Sequence, residues 1–228
     1  MSKQEQQKHA DLETIEEQVF SSTEQFIEKN KKAIIYTVAV AVVVVLAVLS
    51  FRNFYLVPQE KLAADEMYKA QTYFAVDSFQ LALNGDDVEC NGFQSIIEDY
   101  SLTESANLAS AYAGICAYKL GDFESAAGYL NSYDGADDNL AVVIAQLLGD
   151  TYVELGELSK AIASYKDVIA AENTIFSPMS LKKAGIVYEK LEKNDDALKM
   201  YNQIKEDYSR SAEAADIDKY IAVLEALN

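Results

Sequence analysis

The sequence predicts an all-α protein: a single N-terminal transmembrane helix, then a repeated array of antiparallel helix pairs. Three observations carry this. Nineteen uncharged residues run from Ala33 to Phe51, between Lys32 and Arg52. Downstream, a pattern of small and large residues returns at intervals of 35 and 36 residues. Only 2 prolines occur in 228 residues, half of which are apolar, and no stretch reads convincingly as a strand.

Residues 1–32 are a polar tail. Leu12, Ile15, Val19 and Phe26 recur in it at near-heptad spacing among Glu and Gln. That fits either a short amphipathic helix or a flexible tail with incidental apolar residues. As a helix, the segment 33–51 would be about 28 Å long, close to the hydrocarbon thickness of a bilayer. It has no polar face with which to sit in a soluble core. Its many valines favour helix only where lipid leaves the backbone no other partner. The leader and the apolar run are both too long for a cleaved signal peptide, and LSFRNFY offers no small-x-small site. Phe51, Phe54 and Tyr55 suit an interfacial aromatic belt. Lys29, Lys31 and Lys32 precede the span, against Arg52 and Lys61 after it, a bias that puts the N-terminus in the cytoplasm. The large domain, 58–228, then lies across the membrane, in the periplasm if the cell is Gram-negative. Pro58 is expected to bend or interrupt the junction.

Within that domain three stretches align: Gly114–Leu130, Gly149–Tyr165 and Gly185–Tyr201. Gly114, Gly149 and Gly185 share their intervals with Ala126, Ala161 and Ala197. Tyr118, Tyr152 and Tyr188 lie near the end of each first helix, followed by Leu120, Leu155 and Leu191. Gly and Ala stand where two helices must approach closely, and the large residues fill the space beside them. LGD and LGE end a helix at a residue tolerant of left-handed geometry, and Asp122 can cap the next. The pattern resembles tetratricopeptide repeats (TPRs), whose unit is a helix, a tight turn and an antiparallel helix. It departs from them in period, in Glu192 at the third turn, and in Tyr118, which stands one place off. The helix pairs are expected at about 104–131, 140–170 and 177–206, in units 104–137, 139–173 and 176–209. Ser177 and Pro178 read as the start of the third. A capping helix is expected at 211–227, with Ile217, Tyr220, Ile221 and Leu224 on one face. Upstream, a long segment 59–83 and a helix at about 88–100 form a degenerate first unit, 59–100.

The formal net charge of −18 excludes a nucleic-acid partner, which needs clustered Lys and Arg. The charge is uneven: residues 53–175 carry 5 basic and 20 acidic side chains, and residues 176–228 carry 8 and 10. The lone histidine, His9, lies in the tail, so no His-based triad or His-ligated metal is available to the large domain. The acidic stretch 134–139 lacks the spacing of a calcium loop and reads as a solvated turn. No catalytic, metal or cofactor residues are expected. If the chain turns near Leu102, Cys90 and Cys116 fall at similar heights on antiparallel helices and can face each other as a disulfide; against this, Cys116 holds a small buried position where a free thiol packs well.

In the TPR family the first helix of each pair lines an inner groove. Carried across, that resemblance implies Leu108, Ala111, Ile115, Tyr118 and Lys119 from the first unit. The second contributes Val143, Gln146, Asp150, Val153 and Glu154, and the third Met179, Lys182, Ile186, Glu189 and Lys190. Apolar members of such a stripe can equally be core. The Lys/Asn clamp that grips peptide C-termini is not reproduced, because Ile115, Asp150 and Ile186 stand where Asn is expected. The layout of tail, span and repeats resembles the YfgM-like family of inner-membrane TPR proteins. That resemblance implies a non-enzymatic accessory of the Sec translocon. Its partners would be the channel, a PpiD-like membrane-anchored chaperone and exported chains. The other reading is a TPR scaffold for a different envelope assembly machine.

Overall fold

A computed structural model describes residues 28–86, 88–135 and 137–226. It comprises two units, Met1–Val57 and Pro58–Asn228. His9, Leu12, Ile15, Val19 and Phe26 lie outside the described residues.

In the first unit, residues 28–51 form α1, followed by the π-helical segment Arg52–Leu56. The helix is long and apolar enough to cross a membrane. Ile35, Val40, Leu46 and Leu49 are each more than half exposed, so no protein core receives them. The Thr37 hydroxyl donates to the Ala33 carbonyl (2.9 Å), which satisfies it within its own helix. Pro58 does not break the helical conformation, which runs from Glu28 to Ala75. Its effect falls just before it, as the π segment. A proline has no N–H to donate and its ring disfavours a regular α-turn ahead of it, both of which a widened turn accommodates.

The second unit begins with α2 (Val57–Ala75), α3 (Phe79–Asn84) and α4 (Gly92–Asp99). One helix over 59–83 and another from about 88 were expected, and the chain departs at two places. α2 closes in a turn with Asp77 left-handed (φ 58°), where Ser78 N–H reaches the Tyr73 carbonyl at 3.0 Å. The next start slips to Gly92 because the Asp86 carboxylate gathers the N–H groups of Val88, Glu89 and Cys90 (3.0, 2.8 and 2.9 Å) and the Tyr73 hydroxyl (2.7 Å). These bonds hold the Asp86 carboxyl well below the usual carboxylate range, the Cys90 N–H contributing most. The stability this loop supplies is full above the unfolded-state carboxylate value, about 3.9, and is lost as pH falls toward the depressed folded value. Acid unfolding followed by circular dichroism should show a shallower decline below about pH 4 for Asp86→Asn than for the parent.

Three helix pairs follow: α5 (Glu104–Leu120) with α6 (Phe123–Ser132), α7 (Asp138–Glu154) with α8 (Leu158–Ala170), and α9 (Phe176–Lys190) with α10 (Asn194–Asp207). Each pair turns at a left-handed residue: Gly121 (φ 79°), Gly156 (φ 73°) and Glu192 (φ 58°). The N–H groups of Asp122, Glu157 and Lys193 reach back to the carbonyls of Ala117, Tyr152 and Tyr188 at 3.0, 2.8 and 3.0 Å. Ala117 therefore shares the register of Tyr152 and Tyr188, which is why Tyr118 stands one place off. Gly114, Gly149 and Gly185 receive the side chains of Leu130, Tyr165 and Tyr201, each sixteen residues on, and a methyl at any of them would overlap that side chain. Tyr165 and Tyr201 are buried in one core cluster with Ala161, Leu181, Ala184 and Ala197.

The start of α9 differs from expectation. Asn173 accepts the Ile175 and Phe176 N–H groups (2.9 and 3.0 Å), while Ser177 lies inside the helix and donates to the Val168 carbonyl at 3.1 Å. Pro178 is tolerated because first-turn N–H groups have no intrahelical acceptor. The final helix, α11 (Ile217–Glu225), starts later than 211, after a 3₁₀ turn at Glu213–Ala215 held by Ser211 Oγ. Ile217, Ile221 and Leu224 are buried in the core cluster that holds Leu181, Ala197, Tyr201 and Ile204.

Cys90 and Cys116 are free and buried, in one cluster with Met67, Phe93 and Ile96. Burial raises both thiols, Cys116 up to about 12. At pH 8, a maleimide should leave both unmodified in the folded protein and label both once guanidinium unfolds it without reductant. A disulfide would give no label in either state.

Candidate partner groove

The first helices of the pairs lie side by side, α7 touching both α5 and α9. Repeat-related positions on them converge on two open clefts. The first, of about 290 Å³, is lined by Tyr118, Asp150, Val153, Glu154, Ile186 and Lys190 of the predicted set, joined by Tyr165, Lys183 and Val187. Asp150 is its centre. Oδ1 accepts the Tyr165 hydroxyl at 2.7 Å, and Lys183 Nζ reaches Oδ1 and Oδ2 at 2.8 and 2.6 Å. The charge of Asp150 is thereby neutralised within the protein, and the exposed Glu154 and Lys190 face solvent. Burial drives the Tyr165 hydroxyl far above its ordinary range, with the bond to Asp150 adding to it. Burial also raises Tyr118, helped by Asp150 and Glu154, so both phenols are neutral donors at physiological pH. The Tyr118 ring is fixed edge-on to Phe123, 5.5 Å between centroids.

The second cleft, of about 540 Å³, lies between α5 and α7. Leu108, Tyr133, Leu140 and Val143 form its apolar lining, with Glu104, Asn107, Asp137 and Asn139 around them. Glu60 of α2 holds the start of α5 in place, accepting the Glu104 and Ser105 N–H groups at 2.8 and 3.2 Å. Asp137 Oδ1 caps α7 through the N–H groups of Asn139 and Leu140, both at 2.9 Å.

The remaining predicted residues lie elsewhere. Ala111, Gln146 and Lys182 occupy one repeat-related position, and each faces the next unit. Ala111 is buried with Leu130 and Ile144, Gln146 accepts from Ser180 Oγ at 3.3 Å, and Lys182 binds Asp216 at 2.7 and 2.9 Å beneath Tyr220. Stacking covers the side of each first helix that is turned to its successor. Ile115 is half-buried against the same cluster as Ala111, and Glu189 accepts the Tyr201 hydroxyl. Met179 is half-buried, and Lys119 is exposed at the end of α5.

Sequence reasoning missed Lys183, although its position carries a signal. Two residues before the packing glycine stand Tyr112, Leu147 and Lys183. Tyr112 stacks on Phe93 of the preceding unit at 5.1 Å, and Leu147 packs on the cluster of Ala111, Leu130 and Ile144. A lysine where both counterparts are apolar calls for an acid on the preceding unit, and Asp150 is that acid.

Residues 181–211 match the tetratricopeptide-repeat family TPR_6, a stretch that takes in most of α9 and α10. Among solved structures the chain is similar to BtubC (BKLC) from P. vanneervenii, at 18% identity and a TM-score of 0.42. That similarity covers 75% of this chain and 65% of the other. No curated protein sequence matches the chain significantly. Residues 181–211 are thus a tetratricopeptide repeat, set within a chain whose regular elements, among the described residues, are all helical.

Proposed function

We propose that α5–α10 form a right-handed TPR superhelix whose groove binds protein partners, tethered to the inner membrane by residues 33–51. The N-terminus is cytoplasmic and the repeat domain periplasmic. The chain acts without catalysis, as a YfgM-like accessory of the Sec translocon, alongside a PpiD-like chaperone on newly exported proteins. The supporting observation is the convergence of Tyr118, Val153 and Ile186, one from each unit, on a single open cleft beside an internally neutralised Asp150. Neutral, half-apolar surface of this kind suits an extended or helical protein segment. Tethering raises its local concentration at the membrane.

Affinity purification of the full chain from gently solubilised membranes should recover Sec channel subunits and the chaperone. Their absence sinks the translocon role, and recovery of cell-wall or outer-membrane assembly proteins replaces it with the scaffold reading. In intact spheroplasts, external protease should digest the repeat domain; protection would reverse the orientation.

A further inference from the structure

We infer that the cleft between α5 and α7 takes a peptide segment carrying a bulky aliphatic side chain beside a Lys or Arg. The inference rests on the reading of α5–α10 as a peptide groove and names what one part of it selects.

Two features point to that chemistry. Leu108, Tyr133, Leu140 and Val143 are half-buried around open space of about 540 Å³, room for one or two large side chains. The charged groups lining that space, Glu104 and Asp137, are both acidic and both exposed. Among the described residues neither is paired with a cation. The chain segment that supplies the cleft is itself strongly acidic. From residue 70 to residue 159 the chain has fifteen acidic side chains and a single basic one, Lys119. Lys119 lies fifteen residues along α5 from Glu104, about 22 Å away. The first cleft differs in kind, because Lys183 neutralises Asp150 and its lining carries Lys190 as well as Glu154. The two clefts therefore divide the work: the first is indifferent to charge, while the second attracts cationic segments and rejects acidic ones.

The test uses the full chain in detergent micelles and fluorescent twelve-residue peptides with a Gly/Ser background. One carries two Leu and two Lys, a second two Leu and two Glu, a third two Ser and two Lys. Anisotropy titration should give binding of the Leu/Lys peptide at least about 10-fold tighter than of either other. The preference should shrink between 0.1 and 1 M salt, as the screening length falls from about 10 to about 3 Å. In Glu104→Gln/Asp137→Asn, whose Asn keeps the α7 cap, the Leu/Lys and Leu/Glu peptides should bind alike. In Val143→Ser, with helix content checked by circular dichroism, the preference for Leu over Ser should fall. Equal binding of Lys and Glu peptides by the parent, or an unchanged preference in the double variant, overturns the inference. So does concentration-dependent dimerisation abolished by Val143→Lys, which would assign the cleft to a second copy of the chain. If no peptide binds while Sec subunits are still recovered, this inference fails and the proposed function stands; a firm Leu/Lys preference without Sec recovery gives the reverse.

Discussion

Tyr165→Ala is expected to lower stability by about 3–5 kcal/mol, read as a shift of the urea midpoint by circular dichroism. Tyr165 is 2% exposed, its ring lies over the bare backbone of Gly149, and its hydroxyl supports Asp150. Truncation opens a cavity between α7 and α8 where neither helix backbone can close in, and it strips one donor from the Asp150–Lys183 pair. Tyr165→Phe isolates the hydroxyl and should cost only about 1 kcal/mol. The complementary change, Gly149→Ala, forces a methyl into the ring. Overpacking costs about 1–3 kcal/mol, offset in part by the roughly 0.5–1 kcal/mol that Ala gains over Gly in a helix. Combined with Tyr165→Leu, Gly149→Ala should become markedly less damaging, since a smaller side chain leaves room for the methyl. Additive effects would mean that glycine and tyrosine do not meet.

Replacing Tyr118 with Lys and Ile186 with Asp should reduce partner recovery by about 30-fold or more while leaving helix content unchanged. Truncating or charging a central hot spot costs about 2 kcal/mol or more, and 1.4 kcal/mol is a factor of ten in affinity. Both residues line the first cleft, from units on either side of α7, and Ile186 is 37% exposed. Lys182→Ala is the control. Its side chain ties α9 to Asp216, so the change should weaken the C-terminal cap and spare binding. Loss of helix content in the Tyr118/Ile186 variant would identify these residues as core and remove the groove.

The lining of the first cleft was partly legible in advance. Tyr118, Asp150, Val153, Glu154, Ile186 and Lys190, which the TPR resemblance assigns to a groove, line the first cleft together, because equivalent helix positions in stacked units point the same way. The resemblance places Lys182 in a groove and leaves Lys183 out, although they are adjacent. One step on a helix turns a side chain by about 100°, enough to exchange a groove for a unit-to-unit contact. Gln146 fell to the same ambiguity, since its acceptor role depends on Ser180 of the next unit. The second cleft was missed apart from Leu108 and Val143, because Tyr133 and Asp137 come from a connecting loop that no helical period predicts.

By itself the sequence determined the helical class, the apolar span-length segment and the period of the pairs. Each of these rests on local spacing: nineteen uncharged residues, or a glycine returning after 35 and 36. Tertiary structure alone decided that α2 stops at Ala75, that Asp86 gathers a loop and delays α4 to Gly92, and that Asn173 takes the place of Ser177 ahead of α9. It also decided which carboxylates are spent internally and which remain open. Asp150 meets Lys183 across thirty-three residues, whereas among the described residues Glu104 is in no ion pair. Charge pairing depends on distance in space, and a linear pattern carries no information on that distance until the helices have packed.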